Sequence, residues 1–193
     1  MRKIIYAIPM SLDGYIEDRG GRFDWAEPDA ELHQHFNDHY DHIDTDLYGR
    51  RMWEMMSAYW PTADQDPDAP PLVVDFSRRW QQARHIVFSR HLTSVGHGAT
   101  LAEGDIAEVV RRLKAEPGKD MSVSGAGLAA SFMALDLIDE YWLYVVPVAV
   151  GGGKPFFQDL HRQLRLRLLS TRTFSGGVVH LRYAPMREGD AGG

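Results

Sequence analysis

The chain has 193 residues, 44% hydrophobic and 25% charged, which suits one compact domain with a substantial core. A formal net charge of -6 argues against sequence-independent nucleic-acid binding, which needs Lys and Arg on phosphates, but leaves room for a local basic pocket for one phosphorylated small molecule. Zero cysteines exclude disulfides, thiolate catalysis and cysteine-ligated zinc, and fit a reducing compartment.

After Met1-Arg2-Lys3 comes an apolar run of about seven residues that includes Pro9. It is too short to span a bilayer and no small-residue cleavage site follows, so it reads as a buried first strand over residues 4–8 of a cytoplasmic protein. Ser11-Leu12-Asp13-Gly14 ends it with turn chemistry. A helix is expected over 28–42, where Leu32, Phe36, Tyr40 and Ile43 recur on one face. Residues 45–48 read as a short strand and 50–58 as a helix. The proline- and aspartate-rich stretch 61–71 reads as a long surface loop, a kind of connection that often serves function. A short helix at 76–82, a strand at 85–89 and an amphipathic helix at 105–115, capped by Asp105 and stopped by Pro117-Gly118, come next. A strand at 121–124, a helix at 125–135 and a strand at 141–148 complete the alternation. Leu164, Leu166 and Leu168 alternate with Arg165 and Arg167 as a half-buried strand, and Ser175-Gly176-Gly177 turns it into a hairpin with 178–183. No repeat or break divides the chain. The reading is one α/β domain over 1–186 with a mixed sheet, and a polar, frayed tail over 187–193.

Three strand ends carry the chemistry. Ser124-Gly125-Ala126-Gly127-Leu128 runs from a strand through glycines into a helix, where a backbone can approach a ligand and free N–H groups meet a phosphate. It lies too late in the chain for a Rossmann fingerprint, no acidic residue ends the next strand, and a plain strand–helix turn is the alternative. Gly49-Arg50-Arg51-Met52 places two arginines in a first helical turn, where the dipole disfavours cations unless an anion binds; two solvated arginines are the alternative. Ser89-Arg90 ends a third strand with a hydroxyl and a guanidinium, a pairing that suits a phosphate monoester. Ligands of α/β sheets gather at such strand ends.

Other patterns carry less. His35, His39 and His42 lie near one helical face but lack the glutamate of a zinc-protease motif, and no metal is expected. Gly151-Gly152-Gly153-Lys154-Pro155 has the wrong spacing for a phosphate loop, and Pro155 replaces the hydroxyl that would hold magnesium. Ser124 lacks the glycine two residues earlier that a nucleophile elbow requires.

Taken in order, Met10-Ser11-Leu12-Asp13-Gly14-Tyr15-Ile16, Gly49-Arg50-Arg51-Met52-Trp53-Glu54, Ile86-Val87-Phe88-Ser89-Arg90 and Ser124-Gly125-Ala126-Gly127-Leu128 resemble the dihydrofolate-reductase-like superfamily. The branch they look most like holds the reductase domain of bacterial riboflavin biosynthesis. Val146-Pro147 and the 151–157 stretch look like it too, so the resemblance covers about residues 3–184. It implies a three-layer α/β/α domain with a central mixed, mostly parallel sheet and a C-terminal antiparallel hairpin. It also implies NADPH lying across the strand ends. Gly49, Arg50, Arg51 and Met52 would face the cofactor phosphates, and Ser89 and Arg90 the 2′-phosphate. Gly125, Ala126, Gly127 and Leu128 would cradle the pyrophosphate, and Ile16 would touch the nicotinamide side.

The substrate half matches less well. Folate-reducing members carry a carboxylate where Ala30 stands here, with Asp29 one residue away. The riboflavin-type lysine before Ser-Leu-Asp-Gly is absent from residues 7–10. The expectation is therefore an NADPH-dependent reductase of a C=N or C=O group in a small heterocyclic or sugar-derived molecule. Asp13 and Asp29 are the candidate acids; Asp13 has an equal claim to fixing its turn. Dihydrofolate reduction and a catalytically silent dinucleotide-binding protein are the alternatives. A homodimer is expected, with Tyr141, Trp142 and Tyr144 crowding one strand beside a partner or substrate; no nucleic-acid or membrane partner is expected.

Overall fold

The computed structural model describes residues 1–186; the tail expected over 187–193 lies outside the described residues. Ten strands and five α-helices follow in chain order: β1 (Ile4–Ser11), β2 (Tyr15–Asp18), α1 (Ala30–His39), β3 (Ile43–Gly49), α2 (Arg50–Tyr59), α3 (Pro71–Gln82), β4 (Arg84–Phe88), β5 (Thr100–Leu101), α4 (Ile106–Ala115), β6 (Asp120–Ser124), α5 (Ala126–Ala134), β7 (Glu140–Val146), β8 (Gly153–Pro155), β9 (Leu166–Thr173) and β10 (Val179–Pro185). Eight strands form one sheet in the order β5-β4-β3-β6-β1-β7-β10-β9. The first six run parallel, and β10 pairs antiparallel with both β7 and β9. This is the expected mixed sheet with its C-terminal hairpin.

The central strands are apolar on both faces because both are covered. On one face, α4 and α5 bring Val109, Val110, Leu113, Ala129 and Phe132 onto Ile4, Tyr6, Leu47, Ile86, Val123 and Leu143. On the other, Leu32 of α1 packs with Ile5, Trp142 and Tyr144, while Trp53 of α2 and Trp80 of α3 pack on Tyr48 and Val87. Each such buried side chain stabilises the fold by about 1.5–3 kcal/mol. The buried indole of Trp80 donates to the Tyr48 hydroxyl at 2.9 Å, which pairs these two polar groups inside the second layer.

Several elements differ from expectation. The helix expected at 76–82 starts five residues earlier, because Pro71 occupies its first turn, where a fixed φ and a missing N–H cost nothing. The strand expected at 164–168 runs over Leu166–Thr173 instead and is mostly exposed: it is the sheet edge, and the adjacent Leu168 and Leu169 break the alternation. A two-stranded sheet of β2 and β8 was not legible in the sequence. Tyr141, Trp142 and Tyr144 do not form an interface strand. β7 lies between β1 and β10, and these side chains are 2–5% exposed, buried in the core. No described helix is long and apolar enough to cross a membrane.

Candidate active site

β3 and β6 are parallel neighbours, with Tyr48 opposite Ser124. From β3 the chain enters α2 and goes on to β4 on one side of the sheet; from β6 it enters α5 and goes on to β7 on the other. The helices lie on opposite faces, since Trp53 and Ala129 belong to different cores. The turns therefore part at the strand ends and leave a crevice, the place where open α/β sheets bind ligands.

Glycine is what lets these two turns meet. A Cβ on Gly125 would lie 3.3 Å from Met52 Cβ and 3.6 Å from the Gly49 nitrogen, and Gly125 has φ +101°. A Cβ on Gly49 would touch Leu128 Cβ at 3.4 Å. Gly127 differs: it is exposed, and a Cβ there would meet no protein atom within 4 Å. Its missing side chain leaves space toward solvent, not toward the fold. The Gly49-to-Met52 and Gly125-to-Leu128 segments, singled out separately in the sequence, thus adjoin.

Side-chain caps are present on α1 and α4 and absent from α2, α3 and α5. Asp29 caps α1 by accepting from Leu32 N, and Asp105 caps α4 by accepting from Ala107 N and Glu108 N. α2 and α5 begin at Gly49 and Gly125 with no side-chain cap and no acid in the first turn. Their first N–H groups and positive dipole ends are left for solvent or an anion. Arg50 and Arg51 add positive charge at the α2 end. Arg50 reaches Glu54 at 3.5 Å; Arg51 makes no ion pair among the described residues. Beyond β4, exposed Arg90 likewise makes no ion pair among the described residues. Ser89 Oγ, by contrast, accepts from His91 N and Leu92 N at 3.1 and 3.0 Å, so it shapes the turn that carries Arg90. Ile16 is buried in the same core as Ala126 and Leu128.

The two carboxylates considered as acids have other partners. Asp13 accepts from Ser11 Oγ at 2.6 Å and from Gly151 N and Val150 N at 2.8 and 3.1 Å, tying the turn after β1 to the loop after β7. The Ser11 hydroxyl foremost, with these N–H groups, holds the Asp13 carboxyl below its ordinary range, so it stays ionised at neutral pH. Asp29 accepts from Leu32 N at 2.8 Å, and its other oxygen meets Ser175 Oγ at 3.4 Å. Sequence reasoning missed the loop that Asp13 grips. The triple glycine that looked like a failed phosphate loop serves contact between β2 and β8: a Cβ on Gly153 would fall 1.9 Å from the Glu17 carbonyl oxygen, and Lys154 pairs with Glu17. Three successive glycines were the available signal.

The sequence model of the RibD C-terminal domain matches residues 2–180. The chain belongs to the RibD C-terminal domain family. Its relatives include the uncharacterized protein YyaP of Bacillus subtilis (strain 168), 37% identical over 183 residues that make up 94% of each chain. Among solved structures, a Shewanella sp. PV-4 protein named for riboflavin biosynthesis superposes with a TM-score of 0.76 at 24% identity, covering 97% of this chain and 100% of its own. The Thermotoga maritima diaminohydroxyphosphoribosylaminopyrimidine deaminase/5-amino-6-(5-phosphoribosylamino)uracil reductase superposes with a TM-score of 0.66 at 16% identity, covering 96% of this chain and 57% of that one. At these identities the superpositions establish the fold. Membership of the RibD C-terminal family sets the chain among reductase-type domains of the riboflavin-biosynthesis kind.

Proposed function

We propose that this RibD C-terminal domain is an NADPH-dependent reductase that delivers hydride to a C=N or C=O group of a small heterocyclic or sugar-derived substrate. The observation that carries the reading is the pair of uncapped helix N-termini meeting at the β3–β6 crevice, with Arg51 and Arg90, which make no ion pair among the described residues, on its flank. A dinucleotide phosphate fits that donor set. The Ala126, Gly127 and Leu128 N–H groups suit a pyrophosphate, Gly127 leaves room for it, and Arg90 suits a 2′-phosphate. Bound there, the dihydronicotinamide would supply the hydride.

The chain's own residues orient and enclose. Asp13 holds the loops after β1 and β7 in fixed register, and on this reading those loops would flank the nicotinamide. It acts through that loop, and the proton that accompanies hydride comes from solvent. Asp29 fixes the start of α1 and meets Ser175 at the hairpin turn. The chain has neither the riboflavin-type lysine nor a carboxylate at position 30, which argues for a substrate other than the ribosylaminouracil or dihydrofolate. The same reading includes a homodimer. β7 is enclosed, so the open edge of β9, with Leu168 and Leu169 exposed, is the surface for a second copy. Fluorescence titration with NADPH and NADH, followed by a cofactor-oxidation screen over small imines and carbonyls, tests the function. Equal affinity for both dinucleotides, or none for either, would refute it.

A further inference from the structure

At the other end of the strands from the crevice lies a cavity of about 510 Å³. Lys3, Asp120 and Glu140 mark it as the N-terminal end of β1, β6 and β7. β6, whose Asp120 lines the cavity and whose Ser124 opens the crevice, sets the two apart by roughly 13 Å along the strand. Its roof is the C-terminal half of α1 and its floor is β7 and β10, with β9 at the mouth. The size suits a metabolite.

Buried polar atoms without partners concentrate here. Among the described residues eight buried side-chain N or O atoms have no hydrogen-bond partner, and four belong to this wall: both ring nitrogens of His39, His180 Nε2 and Arg182 Nε. His180 is only 4% exposed. Native folds rarely leave such groups unpaired, because each forfeits its hydration. Arg182 Nε–H can only donate, and each neutral imidazole has one N–H to give. Arg182 Nε and one His39 nitrogen are therefore unsatisfied donors, the other His39 nitrogen is an unsatisfied acceptor, and the tautomer decides His180 Nε2.

The charges point the same way. Glu140 accepts from Lys3 Nζ, Arg182 and the Trp142 indole at 2.7, 2.8 and 2.7 Å. One carboxylate thus faces two cations, and the inner wall keeps a positive surplus. Arg172 is neutralised by Glu31, while Asp38 and Asp120 accept from the uncharged Gln34 amide and Lys3 N and keep their charge at the rim, so the surplus is local to Lys3 and Arg182 around Glu140. Burial keeps His39 and His180 neutral, with pKa values lowered to about 4 and about 3; His35 adds to both shifts and His42 to that of His39. An entering anion would offer them the counter-charge that burial withholds. Flat rings line the space: His39 packs on Trp142 at 4.8 Å and Arg182 lies over the same indole. No described group of three His, Asp or Glu is placed to hold a metal ion.

We propose that this cavity is a second ligand site, distinct from the cofactor crevice, for a small organic anion whose carboxylate or phosphate head meets His39, His180 and Arg182 and whose body extends toward Ser170 at the mouth. The proposal is independent of the cofactor reading. Its test is calorimetric titration of the full chain with benzoate and with inorganic phosphate at pH 6.5, the two probes separating carboxylate from phosphate recognition. At least one should bind saturably. His39→Gln should weaken it tenfold or more, and so should Ser170→Glu, which adds an anion at the exposed mouth without touching the core. Thermal melts confirm that both variants fold. Saturable binding to neither probe overturns the proposal. So does binding that ignores both substitutions but is lost in Arg51→Ala, which would assign the anion to the crevice.

Discussion

Gly127→Val separates ligand approach from folding at the crevice. Position 127 is exposed in the first turn of α5, and a Cβ there meets no protein atom within 4 Å. Valine has better helix propensity than glycine by a few tenths of a kcal/mol, so the variant should melt within a degree or two of the parent. A branched side chain would instead occupy the space through which a pyrophosphate reaches the Ala126, Gly127 and Leu128 N–H groups. Charge-assisted hydrogen bonds contribute about 1.5–3 kcal/mol each, so losing even one should cost tenfold to a hundredfold in affinity. The assay pairs a thermal melt with NADPH fluorescence titration. Gly125→Val is the contrasting case: φ of +101° and the 3.3 Å approach to Met52 Cβ make it a folding defect first. A Gly127→Val protein that melts normally and binds NADPH within twofold of the parent would refute the assignment of this turn to the cofactor.

Other outcomes follow from single side chains. Arg90→Ala should bring NADPH affinity about tenfold closer to that of NADH with no change in melting temperature, because the side chain is exposed and makes no described ion pair; calorimetry with both dinucleotides reads this. Asp29→Ala should cost about 1 kcal/mol, or 2–4 °C in Tm, as loss of an N-cap, and Asp29→Asn should restore most of it. An unchanged Tm in Asp29→Ala would remove the capping role. Stability should fall as pH drops below about 6.5, the ordinary histidine value, because the unfolded chain protonates His39 and His180 there while the folded chain resists down to about 4 and about 3. Each contributes a loss of about 2 kcal/mol by pH 5, at about 1.4 kcal/mol per pH unit, and urea titrations at pH 7 and 5 measure it. Dihydrofolate should not be turned over, since Ala30 offers no acid and Asp29 is spent as a cap; turnover near 10 per second would overturn this.

The alternation of strands and helices was legible because the central strands are apolar on both faces and Asp105 and Gly125 mark their helix starts. What escaped was set by long-range contact. Pro71 looked like loop composition but is a helix start. Leu164, Leu166 and Leu168 suggested a half-buried strand, whereas pairing with β10 extends to Thr173 at an open edge with a register shift beside Arg182 and Tyr183. The bulk of Trp142 and Tyr144 suggested a partner surface, yet α1 and the 174–178 turn cover them. At the candidate site, glycines and arginines at three strand ends were visible as motifs. The sequence did not show that Ser89 would turn inward to its own loop, or that Asp13 would reach 137 residues away to Val150. His35, His39 and His42 showed as a stripe, although α1 ends at His39 and His42 lies in the turn before β3; the meeting of His35 and His39 with His180 and Arg182 depends on the return of β10 beside β7.

A crystal structure of the full chain with NADP⁺ tests the central claim most directly. The pyrophosphate should accept from the N–H groups of Ala126, Gly127 and Leu128 at about 2.7–3.2 Å, with the 2′-phosphate beside Arg90. A dinucleotide seated elsewhere, or no density at the β3–β6 crevice at millimolar NADP⁺, would contradict it.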